Sequence, residues 1–378
     1  MNTSSKIHFK NLDALRALAA FLVVTVHLYE AWLNYAGYPT FFTFDQNHKP
    51  KGASLFFDMI MKNGTIGVDL FFMISGFLIC YLLLSEKEKF GTIDLKKFFL
   101  RRGLRIWPLY FLVIAIAPFV VSWLGKPSPN YLPNLLFLNN FYTIYTHEWT
   151  FPFGHLWSIC VEEHFYLVCP FIVLFVPRKH LITAFMLMLS ISVFYRAYLF
   201  FGTNDWYLRM YMHSVARMDE IVTGCLAAVI HFNKPFEFKT SKTIRIILLL
   251  IFLLLFSVDY HYYWENGFLS IFKKYFYLLL AGFLMLNFVF HEKPLFSSPK
   301  WINYLGKISF GIYMYSNIIV TLVAENTMEK IGGWRFSSLI FSVTVIGLTI
   351  LISIISYELF EKPFLKLKSR FELINTKS

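Results

Sequence analysis

Ten apolar stretches of 15 to 25 residues, the seventh the shortest, follow one another along this chain with polar or charged breaks between them, around the roughly 20 residues that a helix needs to cross a bilayer. They run from about Leu12 to Trp32, Thr65 to Leu84, Ile106 to Leu124, His155 to Val176, Leu181 to Phe201, Val215 to Phe232, Ile244 to Val258, Tyr275 to Phe290, Ile308 to Ala324 and Phe336 to Phe360. A further stretch, Tyr131 to Tyr145, is interrupted by Pro133, Asn134, Asn139 and Asn140 and reads as a re-entrant or interfacial helix. A soluble globule is excluded. Of the 378 residues, 57% are hydrophobic and 15% charged, against roughly 25% charged in an ordinary soluble domain, so the polar surface needed to wrap a core in water is missing. The fold class is therefore all-α, a polytopic integral membrane bundle of about ten helices over residues 12–360, with tails at 1–11 and 361–378.

An even number of crossings puts both tails on one side, and the 35 Lys and Arg residues say which side. Of these, 23 fall in the tails and the segments on their side, 9 on the opposite side, and Arg16, Arg196 and Arg217 inside the stretches. The positive-inside bias places both termini in the cytoplasm, and it accounts for the formal charge of +12 without a nucleic-acid surface. The polar first residues, and the Arg and His inside the first stretch, argue for a retained helix rather than a cleaved signal. The 18 residues after Phe360 read as a short basic tail with no further soluble domain. Cys80, Cys160, Cys169 and Cys225 lie in apolar stretches without CxxC spacing, the pattern of buried packing residues rather than of a disulfide framework or a zinc site.

Ionisable side chains inside a span are costly unless they face protein or water, which makes each a candidate for function. Arg16 and His27 are eleven residues apart, which on a helix of about 100° per residue returns to the same face about 16 Å further along. Arg16 then lies near the cytoplasmic end, where it can snorkel or pair with Asp13, and His27 lies beyond mid-membrane as a packing residue or a reactive one. Asp69, in GVDLFFMISGFLI, sits at a comparable depth, able either to orient an imidazole or to cap its helix. In KKFFLRRGLRIWP, Lys97, Arg101 and Arg105 are spaced i, i+4, i+8 and form one stripe if the segment is helical, with Arg102 beside it. Such a stripe suits a phosphate-rich ligand, and equally a topology-setting contact with anionic lipid. GHLWSICVEEHFYLVCP carries His155, Ser158, Glu162 and Glu163; adjacent residues diverge by about 100°, so one glutamate faces a shared cavity and the other a neighbouring helix or the headgroups. HExxH is absent, which makes metal binding the weaker reading. Arg217 and Asp219 open the sixth stretch from the outside, where an arginine needs a carboxylate partner.

Together these blocks resemble the acyltransferase-3 family of integral membrane acyltransferases. The resemblance is carried by LDALRALAAFLVVTVH with Arg16 and His27, GVDLFFMISGFLI with Asp69 and Ser75, and FFLRRGLRIWPLY with Arg101, Arg102 and Arg105. It continues in HLWSICVEEHFYL with Glu162 and Glu163, RMDEIVTG with Arg217 and Asp219, LGKISFGIYMYS and YELFEKP. It implies ten core helices in the bacterial inner (cytoplasmic) membrane, an acyl-coenzyme A donor, most simply acetyl-coenzyme A, entering from the cytoplasm, and transfer to a hydroxyl of an envelope or exported glycan. Under this resemblance Arg16, Arg101, Arg102 and Arg105 hold the donor, and His27 is the general base or the transient acyl carrier. Asp69, Glu162 and Glu163 assist it, while Ser75, Arg217, Asp219 and Ser316 support the site. The coenzyme is a co-substrate; no permanently bound cofactor and no metal is implied. Many members carry a histidine where this chain has Ser316, and some carry a further helix and an esterase-like domain, whose part would here fall to a separate protein.

The rival reading is a secondary transporter or flippase, because intramembrane acids and histidines also form proton relays. Two features favour the enzyme: there is no visible inverted repeat, and the strongest basic cluster lies at one end only. An inactive sensor or scaffold is a third reading, against which the retained Arg16 and His27 stand. Tyr260, Tyr262, Tyr263 and Trp264 read as an interfacial aromatic belt rather than a sugar platform.

Overall fold

A computed structural model describes residues 9, 11–36, 53–203, 205–235, 240–257, 269–291, 298–331 and 337–374; the aromatic run at 260–264 lies outside them. Among the described residues there is no strand, and ten long helices follow the ten apolar stretches. They are α1 (Leu12–Ala31), α2 (Ile66–Phe90), α3 (Leu95–Trp123), α4 (Trp157–Phe175), α5 (Leu181–Gly202), α6 (Ser214–Asn233), α7 (Lys242–Ser257), α8 (Leu269–Phe290), α9 (Ser309–Ile331) and α10 (Ser337–Ser356). By length and apolarity alone α1, α2, α3, α4, α5 and α10 qualify to cross a bilayer, and α9 joins them if the Lys300–Lys307 helix, bent from it by 69°, is counted as part of the same crossing. The others fall short for visible reasons. Helix α6 carries Arg217, Asp219 and Glu220 near its start, α7 has 16 residues, and the apolar part of α8 runs from Lys274 to Phe290.

Hydrogen bonds at the two ends show that the helices alternate in direction. At one end Asn11 Nδ2 donates to Phe288 O (3.1 Å), Lys87 Nζ to Val173 O (2.7 Å) and Leu174 O (2.9 Å), Arg178 Nε to Asn233 Oδ1 (2.7 Å), and Thr240 Oγ1 to Asn287 Oδ1 (2.9 Å). At the other end Tyr35 and Lys126 meet Glu325, Asn140 Nδ2 donates to Met212 O (3.2 Å), and Asn317 Nδ2 to Pro152 O (2.7 Å). These are the groupings that the charge count predicts for the two sides.

Local chemistry explains the joints nearest the basic stripe. Helix α2 stops at Gly91, whose φ of 74° suits a residue without Cβ. Buried Glu86 accepts from the Asp94 amide (2.8 Å), and Asp94 in turn caps α3 by accepting from the Lys97 amide (2.9 Å), a bond that holds its carboxyl below the usual range. Helix α3 therefore begins at Leu95, well before the apolar stretch at Ile106, and the basic stripe is helical. Helices α2 and α6 form the most extensively packed pair, because two glycines let their backbones touch. A Cβ on Gly76 would stand 1.9 Å from Ile221 O, and one on Gly224 would stand 2.1 Å from Met73 O. The interrupted stretch 131–145 forms two short helices, Leu132–Leu135 and Asn139–Thr146, folded against α3 through a Tyr110 hydroxyl that donates to Asn134 O (2.7 Å). All four cysteines are buried and free.

Candidate active site

Three cavities follow one another between α1, α2, α3, α4 and α9. The first, about 140 Å³, opens at the basic end and is lined by Arg16, Arg101, Arg102, Arg105 and Lys368 with Asp13, Glu86 and Glu372. Three of the cations are matched: Arg16 to Asp13 (3.1 Å), Arg101 to Glu86 (2.8 Å) and Lys368 to Glu372 (2.9 Å). Arg102 and Arg105 make no ion pair among the described residues; Arg102 rests on the ring of Tyr166 at 5.5 Å. Five cations against three carboxylates, partly removed from water, form a site whose electrostatics favour a polyanion.

The second cavity, about 80 Å³, shares Arg16, Arg102 and Arg105 with the first and continues past Ser75, Ser158 and Glu162. Glu162 accepts from Ser75 Oγ (3.0 Å) and from the Tyr166 hydroxyl (3.0 Å), so its carboxylate is held in one orientation. At the far end stands Tyr313. Its hydroxyl donates to His155 O (2.6 Å), which leaves it to accept from Ser158 Oγ (2.6 Å).

Beyond Tyr313 lies the third cavity, about 340 Å³, which shares Val68 and Tyr313 with the second and is lined by His27, Glu30, Trp149, His155 and Asn317 among others. His27 Nδ1 is 3.3 Å from Ser316 Oγ. The Ser316 hydroxyl has one hydrogen and donates it to Tyr313 O (3.0 Å), so it accepts from His27 Nδ1–H. That assignment leaves the lone pair on Nε2, the form a proton acceptor needs. His155 packs edge-on against His27 with ring centroids 5.6 Å apart.

The sequence model of the acyltransferase-3 family, described as an acyltransferase domain, matches residues 9–358. The chain belongs to that family. It is similar to the peptidoglycan O-acetyltransferase OatA of Listeria monocytogenes serovar 1/2a (strain ATCC BAA-679 / EGD-e), 27% identical over 399 residues that cover 96% of this chain and 56% of that protein. The O-acetyltransferase OatA of Staphylococcus aureus (strain NCTC 8325 / PS 47) is 26% identical over 386 residues, covering 95% of this chain and 57% of that protein. The chain thus spans little more than half the length of these relatives. No solved structure matches it. As a member of this family it is a multi-pass membrane protein.

Within this acyltransferase-3 chain the structure brings Arg16, Arg101, Arg102, Arg105, Ser75 and Glu162 to the first two cavities and His27 to the third, with Ser316 bonded behind it. Two expectations change. Asp69 does not orient His27: it lines none of the three cavities, and its Oδ1 accepts from Arg217 at 2.6 Å. Glu163 points away from Glu162 and accepts from Trp107 Nε1 (3.3 Å) on the outer side of α3. Asp69, Arg217 and Asp219 belong instead to a buried cluster with Glu220, Arg196 and Lys274, in which three cations balance three carboxylates and no side chain is more than 5% exposed. Lys274 falls in a loop by hydropathy, but α8 begins earlier and carries it inside. This cluster reaches the third cavity indirectly, since the Arg217 guanidinium lies 5.4 Å from the ring of Trp157, a cavity wall. Glu30, one turn past His27, and Tyr313 were also outside the sequence reading; only the helical spacing from His27 pointed to Glu30. Among the described residues no group of three or more His, Cys, Asp or Glu is placed to hold a metal ion.

Proposed function

We propose that the chain is a membrane O-acyltransferase, most simply an O-acetyltransferase, that moves an acyl group from cytoplasmic acyl-coenzyme A to a hydroxyl of an envelope or exported glycan. The observation that carries this reading is the run of three cavities from an arginine-lined mouth to His27. The coenzyme phosphates bind among Arg16, Arg102 and Arg105, and the narrow second cavity takes the extended pantetheine arm, leading the thioester toward Tyr313 and His27. The acceptor enters the third cavity from the opposite face, and the name of the Listeria relative points to peptidoglycan as that acceptor. His27 Nε2 removes the proton of the acceptor hydroxyl as its oxygen attacks the thioester carbonyl; the departing coenzyme thiolate then takes that proton back from the imidazolium. Ser316 holds the imidazole in the tautomer this requires. The basic end, where Asn11 and the helix Lys362–Ser369 lie, faces the cytoplasm, as the positive-inside bias directs.

Purified full chain in lipid vesicles, given labelled acetyl-coenzyme A and glycan fragments, tests the reading by the appearance of label on glycan. Release of free acetate alone, or transport of either molecule without transfer, would overturn it. Arg105→Ala is expected to raise the apparent donor constant about tenfold or more, because one charge-assisted contact to phosphate contributes roughly 1.5–3 kcal/mol. Should the donor constant hold while the acceptor constant rises, the coenzyme has been put at the wrong end.

A further inference from the structure

The family match stops at residue 358, yet the arginine-lined cavity does not close there. The C-terminal helix Lys362–Ser369 and the residues after it fold against α3, where Arg101 Nη1 donates to Phe371 O (3.0 Å). Lys368, Glu372, Leu373 and Ile374 line the same cavity as Arg16, Arg102 and Arg105. Lys368 Nζ lies 2.9 Å from Glu372 Oε1, with the two side chains 22% and 19% exposed. The other two carboxylates of the cavity, Asp13 and Glu86, are supplied by helices of the bundle; Glu372 comes from the tail.

We propose that this tail is part of the donor site, with Lys368 a ligand of the donor phosphates and Glu372 an internal anion that occupies Lys368 until phosphate displaces it. The proposal rests on the donor reading given above. Its physical basis is the number of contacts each anion makes. The Glu372 carboxylate engages one cation, whereas a phosphate lodged between Arg102 and Arg105, neither of which has an ion pair among the described residues, can engage Lys368 as a further partner. The two members of the pair then act on the donor in opposite directions. Losing Lys368 removes a ligand; losing the charge of Glu372 removes a competitor.

The test uses the full chain in lipid vesicles, with equilibrium binding of labelled acetyl-coenzyme A and initial transfer rates read on the same preparations. For Lys368→Ala the dissociation constant and KM for the donor should rise together, roughly tenfold for the loss of one such contact, and Lys368→Arg should restore them. For Glu372→Gln both should fall, by roughly threefold for a partly exposed pair. A merely structural tail would respond to either break of the pair in the same sense, so equal shifts of one sign, or no shift in either variant, overturn the proposal. Arg105→Ala separates the two failures. If it weakens donor binding while the tail variants do not diverge, the tail alone is wrong; if it leaves donor binding unchanged, the donor reading falls and the proposal with it.

Discussion

Replacing His27 with alanine is expected to abolish acyl transfer while the protein still inserts and accumulates normally. The side chain makes one hydrogen bond, to Ser316 at 3.3 Å, and an edge contact with His155, so its structural contribution is about that of one neutral hydrogen bond, roughly 1 kcal/mol. Its chemical contribution is far larger, since removing a positioned general base lowers a rate by about 10²- to 10⁴-fold. His27→Gln refines the comparison: its amide can still donate toward Ser316 but accepts no proton at neutral pH. Single-turnover transfer from labelled acetyl-coenzyme A, on preparations matched for protein level, separates these contributions. Both variants should be inactive, and a near-normal rate in either would remove His27 from the chemistry.

The second large effect concerns folding. Arg217→Ala leaves Asp69 and Glu220, its partners at 2.6 Å and 3.0 Å, buried without that counter-charge, a loss that costs about 3–5 kcal/mol when one member of a buried pair is removed. That is a large share of the roughly 5–15 kcal/mol by which folded proteins are stable, so the variant should accumulate poorly and melt at a markedly lower temperature in detergent. Neutralising a carboxylate as well, in Arg217→Gln with Asp69→Asn, restores the balance of the cluster and should recover much of the loss. A single variant with the melting point of the parent would show that the cluster is not what holds α2, α5, α6 and α8 together. Any transfer defect in the double variant would then report on the Trp157 wall that Arg217 backs.

What could be read without coordinates was whatever a helix settles on its own with the bilayer as its solvent. An apolar run of sufficient length must become a helix, because its amide groups find partners nowhere else in hydrocarbon. The ten helices and the alternation of their ends follow from that, whereas the basic stripe is helical because Asp94 caps α3 ahead of its apolar part. The common face of Arg16 and His27 needs only the helical period and places one residue at each end of the run of cavities. The same period shows that Glu162 and Glu163 must diverge. Which of them faces the cavity is not in the period, because it depends on how α4 is rotated against α2 and α3, and the tertiary packing chose Glu162. Asp69 is at the right depth to reach His27, but the glycine contact of Gly76 and Gly224 draws α2 against α6, and Arg217 takes its carboxylate. Lys274 looks like a loop residue by hydropathy and becomes an interior one only because Asp219 and Glu220 await it on another helix. The tail residues Lys368 and Glu372 read as ordinary basic and acidic residues until the fold brings them under α3. The order of the residues was enough to place the apolar helices and the faces their residues share; pairing across helices came from the packing, because a buried charge settles on whichever opposite charge is brought within reach.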